Sequence, residues 1–404
     1  MFCYIDPGTG SMLFTVLIGV VTAGFFFVQK LKVKFSFLVH GGKAVAKDVN
    51  YVPYAIFSDS KRYWNVFKPI CDEFEKRKIQ VDYWTASSDD PALSENYRYV
   101  KCRFAGEGNK AFARMNMLKS DICLATTPGL DVYQWKRSAN TKYYVHILHE
   151  VGGVIDYEMF GIDFFDAILL SGEFQKSYVR ELEQKRGIKA KDLEVVGSPY
   201  MDTMLKKSSA EIVEKNDITT VLVAPTWGPE GLLSKYGRKL LRELAATGYK
   251  IIVRPHPQSV HSESQVLETL QSEFSNFEWN YDNDNFDVLR RSDIMISDVS
   301  GVVFDYTLLF DRPLIYANGT FDRSKYDAAW IDGPVWRNQA MERLGYELKE
   351  NDFSNIKDVI DKALASDVLR ANRASVKADC WQYIGESAKL TVDYLIKKKK
   401  EISG

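Results

Sequence analysis

With 404 residues, 46% of them hydrophobic, 26% charged and 13% aromatic, the chain has room for two domains with separate cores and is not a disordered polymer. A formal net charge of -1 excludes an overall polyanion-binding surface, and no nucleic-acid partner is expected. Cys3, Cys71, Cys102, Cys123 and Cys380 are scattered without a CxxC pair, which supports neither a zinc site nor a disulfide framework and suits a reducing compartment.

From Pro7 to Val28 there is no charged residue, and Met12 to Val28 is almost wholly apolar before Gln29-Lys30-Leu31-Lys32-Val33-Lys34. That length is near the lower limit for a spanning helix, roughly 17 residues. Positive charge only on the C-terminal flank predicts an uncleaved anchor over residues 1–34, with the N-terminus outside and the bulk of the chain in the cytoplasm. Asp6 stands where a signal peptide carries Lys or Arg; a buried core helix and a monotopic helix are the alternatives.

Short apolar runs then alternate with amphipathic ones. Strands are predicted at 54–57, 81–84, 99–100, 121–125, 143–148, 167–170 and 193–196, with helices over 63–78, 110–118 and 173–185. This is the pattern of βαβ units around a parallel sheet. Between Pro199 and Asn216 the pattern becomes polar, so the domain junction is placed near residue 215, dividing 35–214 from 215–404. A second series follows, with strands at 220–224, 249–253, 277–281, 293–297 and 313–316. Helices are expected over 235–246, 262–274, 286–291, 302–310 and 356–365, and one or two terminal helices over 374–400. The fold class is therefore α/β, two Rossmann-like domains with a cleft between them. The basic run Lys397 to Lys400 reads as a solvated helix end, with an anionic membrane surface as the alternative contact.

Arg254-Pro255-His256-Pro257 follows directly on the run Tyr249 to Val253, so a guanidinium and an imidazole stand at a strand's carboxyl end, where parallel α/β sheets bind ligands. The two prolines stiffen the loop. A second cluster runs from Ser297 through Asp298 and Ser300-Gly301 to Asp305. Ser300 and Gly301 fall at a predicted helix N-terminus, whose free amides suit phosphate. Asp298 and Asp305 suit a ribose, a glycerol hydroxyl or a metal, and the spacing does not select among these. Thr226 and Trp227, in the loop closing the first strand of the second series, are expected at the cleft floor, with the indole as a stacking surface.

In the first half, alternation places His146 along a strand and His149 at its exit. His149, beside Glu150 and the pair Gly152-Gly153 that would let a substrate approach the backbone, is the candidate general base. Two histidines three apart at a strand end do not present one metal face, and no zinc site is expected there. The chain holds no Walker A, GxSxG or GxGxxG motif.

The C-terminal half resembles the CDP-glycerol glycerophosphotransferases of bacterial teichoic-acid synthesis. The resemblance rests on Arg254-Pro255-His256-Pro257 and the segment Ser297 to Asp305 in that order, with His149 and its following glycines and Gly197 to Asp202 as further points of likeness. It spans about residues 140 to 320. The chain departs from the family pattern at Glu150, where a glycine usually follows the histidine, and at Gly301, where a second serine is common.

The resemblance implies a GT-B-like transferase that moves a phosphoalcohol from a CDP-linked donor to an acceptor hydroxyl and releases CMP. His149 would accept the hydroxyl proton, with Glu150, Gly152 and Gly153 on the acceptor side. Arg254, His256 and the groups around Ser297, Asp298, Ser300 and Gly301 would hold the diphosphate, and Asp298 or Asp305 the hydroxyls. No cofactor is implied, and divalent metal is left open. An anchored enzyme on the cytoplasmic face of a bacterial membrane suits a lipid-linked acceptor. The alternatives are a GT-B glycosyltransferase or nucleotide-sugar epimerase working on UDP- or CMP-sugars, and a binding protein without turnover.

Overall fold

The computed structural model describes residues 51–210, 217–282, 284–317 and 323–403. The expected anchor, residues 1–34, lies outside the described residues; among those described, no helix is long and apolar enough to cross a membrane.

The first half alternates β1 (Val52–Ser58), α1 (Trp64–Lys76), β2 (Val81–Thr85), β3 (Val100–Phe104), α2 (Asn109–Met115), β4 (Ser120–Ala125), β5 (Thr141–Ile147), β6 (Ala167–Leu170), α3 (Phe174–Arg186) and β7 (Asp192–Val195). These strands form a parallel sheet in the order β3-β2-β1-β4-β5-β6-β7. The chain continues as α4 (Pro199–Ala210) into the second half.

There β8 (Thr220–Val223), α5 (Leu232–Ala245), β9 (Lys250–Val253), α6 (Ser259–Ser262), α7 (Ser264–Glu273), β10 (Glu278–Trp279), α8 (Phe286–Arg290) and β11 (Ile294–Ser297) follow. A short helix α9 (Val302–Phe304) runs into a π-helical turn, Asp305–Leu309. Then come β12 (Leu314–Tyr316), α10 (Trp336–Leu344), β13 (Gly345–Glu347), α11 (Ile356–Leu364), α12 (Asp367–Cys380) and α13 (Ser387–Ser403). The second sheet, also parallel, has the order β10-β9-β8-β11-β12-β13.

Both faces of each sheet are covered, which is why the strands read as continuous apolar runs. In the second sheet Val221, Val223, Ile251, Val253, Ile294 and Ile296 face one core, and their neighbours Leu222, Ile252 and Met295 face the other. In the first, Tyr54, Ile56, Ile122 and Leu124 turn one way and Ala55, Phe57, Cys123 and Ala125 the other.

The terminal helices divide between the two halves, although both were expected with residues 215–404. Val376 and Cys380 of α12, with Trp381, pack beside Leu222 and Ile252. Val392, Tyr394 and Leu395 of α13 join the first sheet's core beside Ile56 and Ile122. The lysine run is part of this return: Lys398 pairs with Asp192 at 2.6 Å and lies over Tyr143, while Lys397 and Lys400 are exposed.

Two unexpected helices and a short strand appear. α4 buries Met201 and Met204 from a segment that reads as a polar junction. β13 carries no apolar run, and its pairing with β12 makes it a strand. The third is α10, whose Trp336 stacks on Phe174 and Phe304.

Candidate active site

In each sheet the strand order reverses beside the first strand, between β1 and β4 and between β8 and β11, and the loops leaving β1, β5, β8, β9 and β11 open onto one cleft of about 790 Å³. Its walls bring together His149, Glu150, Arg254, His256, Ser300, Gly301 and Asp305. In the second sheet the register sets Val223, Val253 and Ile296 abreast, so Ala224, Arg254 and Ser297 leave the carboxyl edge at one level.

His149 stands two residues beyond β5. Its Nδ1 lies 3.0 Å from Thr126 Oγ1 and 3.5 Å from Tyr157 Oη, and its ring packs on Tyr63 with centroids 4.8 Å apart. With Nδ1 engaged on the inner side, Nε2 is the nitrogen left for the cleft. Burial holds this imidazole down to about 4, helped by the Arg62 guanidinium. It is therefore neutral at pH 7, the form in which an imidazole accepts a proton.

On the opposite wall, the Gln258 amide donates to His256 Nδ1 at 3.1 Å. That bond makes Nδ1 an acceptor and leaves the neutral ring's proton on Nε2. Burial lowers His256, with Glu263 opposing. His256 is thus a hydrogen-bond donor, suited to an anionic oxygen.

Arg254 is largely enclosed. Its guanidinium donates to Asn280 Oδ1 and, at 2.7 Å, to the Asp282 carbonyl, and burial lowers it against Asp282 and Asp284. These bonds aim the fork and leave only part of it for a ligand.

Glu150 reaches towards the second half. Its Oε1 is 3.7 Å from Arg337, whose guanidinium also holds Asp156 at 2.9 Å and the Val299 carbonyl at 3.0 Å. Burial raises Glu150 against the pull of Arg337. Burial likewise raises Asp305 to about 7, opposed by Tyr200, which donates to it at 3.2 Å, and assisted by the Glu150 carboxylate.

Several expected ligand groups serve the loops instead. Ser297 is fully buried and donates to the Ala224 carbonyl at 2.6 Å, tying β11 to β8. Asp298, 2% exposed, accepts from the amides of Thr226 at 2.7 Å and Leu232 at 3.0 Å. That carboxylate organises the loop after β8, with burial raising it above the ordinary range. Thr226 and Trp227 do not line the cleft: Ala224 and Pro225 do, and the indole turns outward, 49% exposed, before Gly228 at φ +101°.

The glycine pair also has a packing cause. A Cβ on Gly152 would sit 3.1 Å from Phe304, and one on Gly153 would strike the Asp156 carboxylate at 1.9 Å. Neither lines the cleft.

Lys61, Arg62, Tyr63 and Tyr200 also line the cleft and were not expected there. The carboxyl end of the first strand was a signal for the first three, but only the strand order shows β1 to be central. Among the described residues, no group of three or more His, Cys, Asp or Glu side chains is arranged to hold a metal ion.

Two Rossmann-like domains around a cleft that carries a neutral imidazole on one wall and anion-directed donors on the other make a GT-B-like architecture. Residues 166–332 match the family described as CDP-glycerol:poly(glycerophosphate) glycerophosphotransferase. That segment, from β6 past β12, contains Arg254, His256 and the stretch Ser297 to Asp305, and over it the chain is similar to the CDP-glycerol glycerophosphotransferases.

Solved structures share the fold. The wall teichoic acid polymerase TagF, as a variant soaked with CDPG, is 16% identical with a TM-score of 0.53, over 89% of this chain and 92% of that one. The UDP-GlcNAc 2-epimerase of Neisseria meningitidis bound to UDP-GlcNAc is 13% identical with a TM-score of 0.54, over 85% and 99%. A putative UDP-N-acetylglucosamine 2-epimerase of Listeria monocytogenes is 12% identical with a TM-score of 0.58, over 87% and 97%. No curated protein matches the sequence.

Proposed function

We propose that the protein transfers glycerol phosphate, or a related phosphoalcohol, from a CDP-linked donor to a hydroxyl of a lipid-linked or polymeric cell-envelope glycan, releasing CMP. The acceptor oxygen attacks the phosphorus that bears the alcohol, the bond from that phosphorus to the CMP oxygen breaks, and His149 Nε2 takes the hydroxyl proton. His256 Nε2–H and the part of Arg254 that is not committed to Asn280 and Asp282 stabilise the charge on the diphosphate.

One observation carries this reading. The neutral imidazole of His149 and the rigid Arg254–Pro257 loop line one cleft, and the loop lies within the segment that matches the glycerophosphotransferase family. The expected anchor over residues 1–34 motivates the membrane-bound acceptor and the cytoplasmic placement of the cleft.

The full-length protein is incubated with CDP-glycerol, CDP-ribitol or UDP-sugars and a bacterial membrane fraction, and CMP and UDP are followed. CMP release is expected with a CDP-alcohol, and His149→Ala should slow it by about 10²- to 10⁴-fold. Release of UDP but never CMP overturns the reading in favour of a sugar-nucleotide enzyme. Ligand binding without turnover, with the membrane acceptor present, would make the cleft a binding module.

A further inference from the structure

Behind His149, away from the cleft, stands a group of buried polar side chains that make no contact with the cleft themselves. Thr126 leaves the end of β4 fully buried, its Oγ1 3.0 Å from His149 Nδ1. Tyr157, 7% exposed, comes from the loop between β5 and β6 and reaches the same nitrogen at 3.5 Å, the limit of a hydrogen bond. On its other side the phenol oxygen lies 3.0 Å from Nε2 of His146, which is fully buried within β5. His146 Nδ1 has no partner.

One arrangement of protons satisfies the group. The phenol oxygen accepts from His146 Nε2–H and from His149 Nδ1–H, and its own proton goes to Thr126, to which it is also hydrogen-bonded. That arrangement leaves the buried, unpartnered His146 Nδ1 as a bare lone pair, a cheaper orphan than an unmatched N–H. It also gives His149 two oxygens, Thr126 Oγ1 and Tyr157 Oη, to receive its Nδ1 proton.

We infer that Thr126 and Tyr157 are positioning residues that hold His149 in the Nδ1–H form, so that a bare Nε2 faces the acceptor hydroxyl, and that His146 fixes the phenol. The inference rests on the proposed role of His149 as the base. It extends that role to three residues outside the cleft, and a neutral imidazole in the wrong tautomer would present a proton where a lone pair is needed. Desolvation supports it, because burial keeps His146 down to about 3, so the pair does not carry two charges. The titratable and charged groups around His149 are Arg62 and Tyr63 from the turn after β1, Glu150 beside it, and His146 and Tyr157 behind it.

Two measurements on the full chain test the inference. First, the ring nitrogens of the protein labelled with ¹⁵N-histidine are read by NMR at pH 7. With five histidines in the chain, a His149→Gln sample assigns the signal. A protonated Nδ1 and a bare Nε2 on His149, lost in Thr126→Val, are expected, and a protonated Nε2 in the native protein overturns the inference. This readout needs no substrate, so it stands even if no CMP is ever released.

Second, Thr126→Val should lower kcat for CMP release about tenfold to hundredfold with little change in donor KM, by analogy with groups that orient catalytic histidines. Thr126→Ser should recover most of that loss, and Tyr157→Phe should cost several-fold. Equal losses in Thr126→Val and Thr126→Ser, with melting temperatures lowered alike, would show a packing role only and overturn the positioning assignment.

Discussion

The Glu150 carboxylate stands directly against Gly301: a Cβ on Gly301 would lie 3.1 Å from Glu150 Oε2, tighter than ordinary van der Waals contact. The backbone at Gly301 has φ -62°, open to any residue, so what a side chain there would meet is the Glu150 carboxylate and not backbone strain. These are the two positions at which the chain departs from the pattern of the family it resembles, and in space they are neighbours. Gly301→Ser alone should lower kcat/KM for CMP release several-fold, and Glu150→Gly in the same chain should restore part of it. In a double-mutant cycle the coupling should reach about 1 kcal/mol; additive effects would mean that the two residues do not meet.

Arg62, Tyr63 and His149 pack in a row, the guanidinium carbon 4.9 Å from the phenol ring centre and the phenol, tilted by 51°, 4.8 Å from the imidazole. Burial and this cation both disfavour the imidazolium, so in the free protein the base form is complete at pH 7 and is lost as pH falls through about 4. Arg62→Ala removes the cation but not the burial. The acid limb of the kcat/KM profile should therefore move to higher pH, and an unmoved limb would separate Arg62 from the base.

Arg254 is pinned by Asn280 and the Asp282 carbonyl. A lysine cannot span both acceptors with one ammonium and would leave a buried oxygen unmatched. Arg254→Lys should therefore cost about 1–3 kcal/mol in a urea titration and raise the donor KM. A raised KM at native stability would mean that the guanidinium contacts ligand without organising the loop.

Asp202 ties the return of the chain's C-terminus to the start of α4. Its carboxylate, 5% exposed, accepts from Trp381 Nε1 at 3.0 Å, the Gly385 amide at 2.8 Å and the Ser387 amide at 3.2 Å. Asp202→Ala leaves the buried Trp381 and Ser387 donors unmatched and should destabilise the protein by about 3 kcal/mol, measured by chemical denaturation. Asp202→Asn, which keeps one acceptor oxygen, should cost less.

Much of the fold was legible. The run Ala167 to Leu170 reads as a strand and is one, because a strand buried on both faces needs only local apolar residues, and the alternation of such runs with amphipathic segments identifies parallel sheets. Elements whose character comes from distant partners were not legible. α4 lies in a segment that reads as polar, and its Tyr200, Met201, Met204 and Leu205 meet neighbours distant in the chain, while β13 is a strand because β12 is beside it. In the site, the loop after β9 was legible from its prolines and its place at a strand end. The internal uses of Ser297, Asp298, Gly152 and Gly153 were not, since a small or acidic residue at a strand end reads alike whether it meets a ligand or a neighbouring amide.

By itself the sequence determined which segments become strands and which loops carry an imidazole or a guanidinium, because apolar periodicity and proline placement act within a few residues. Tertiary structure decided which loops meet. It brought Glu150 against Gly301, packed Tyr63 on His149 with Arg62 behind it, set Thr126 and Tyr157 on the imidazole's inner side, and returned α13 to the first sheet. The order of strands in a sheet is set by pairing between residues far apart in the chain, and no local pattern encodes which loop will face a given side chain.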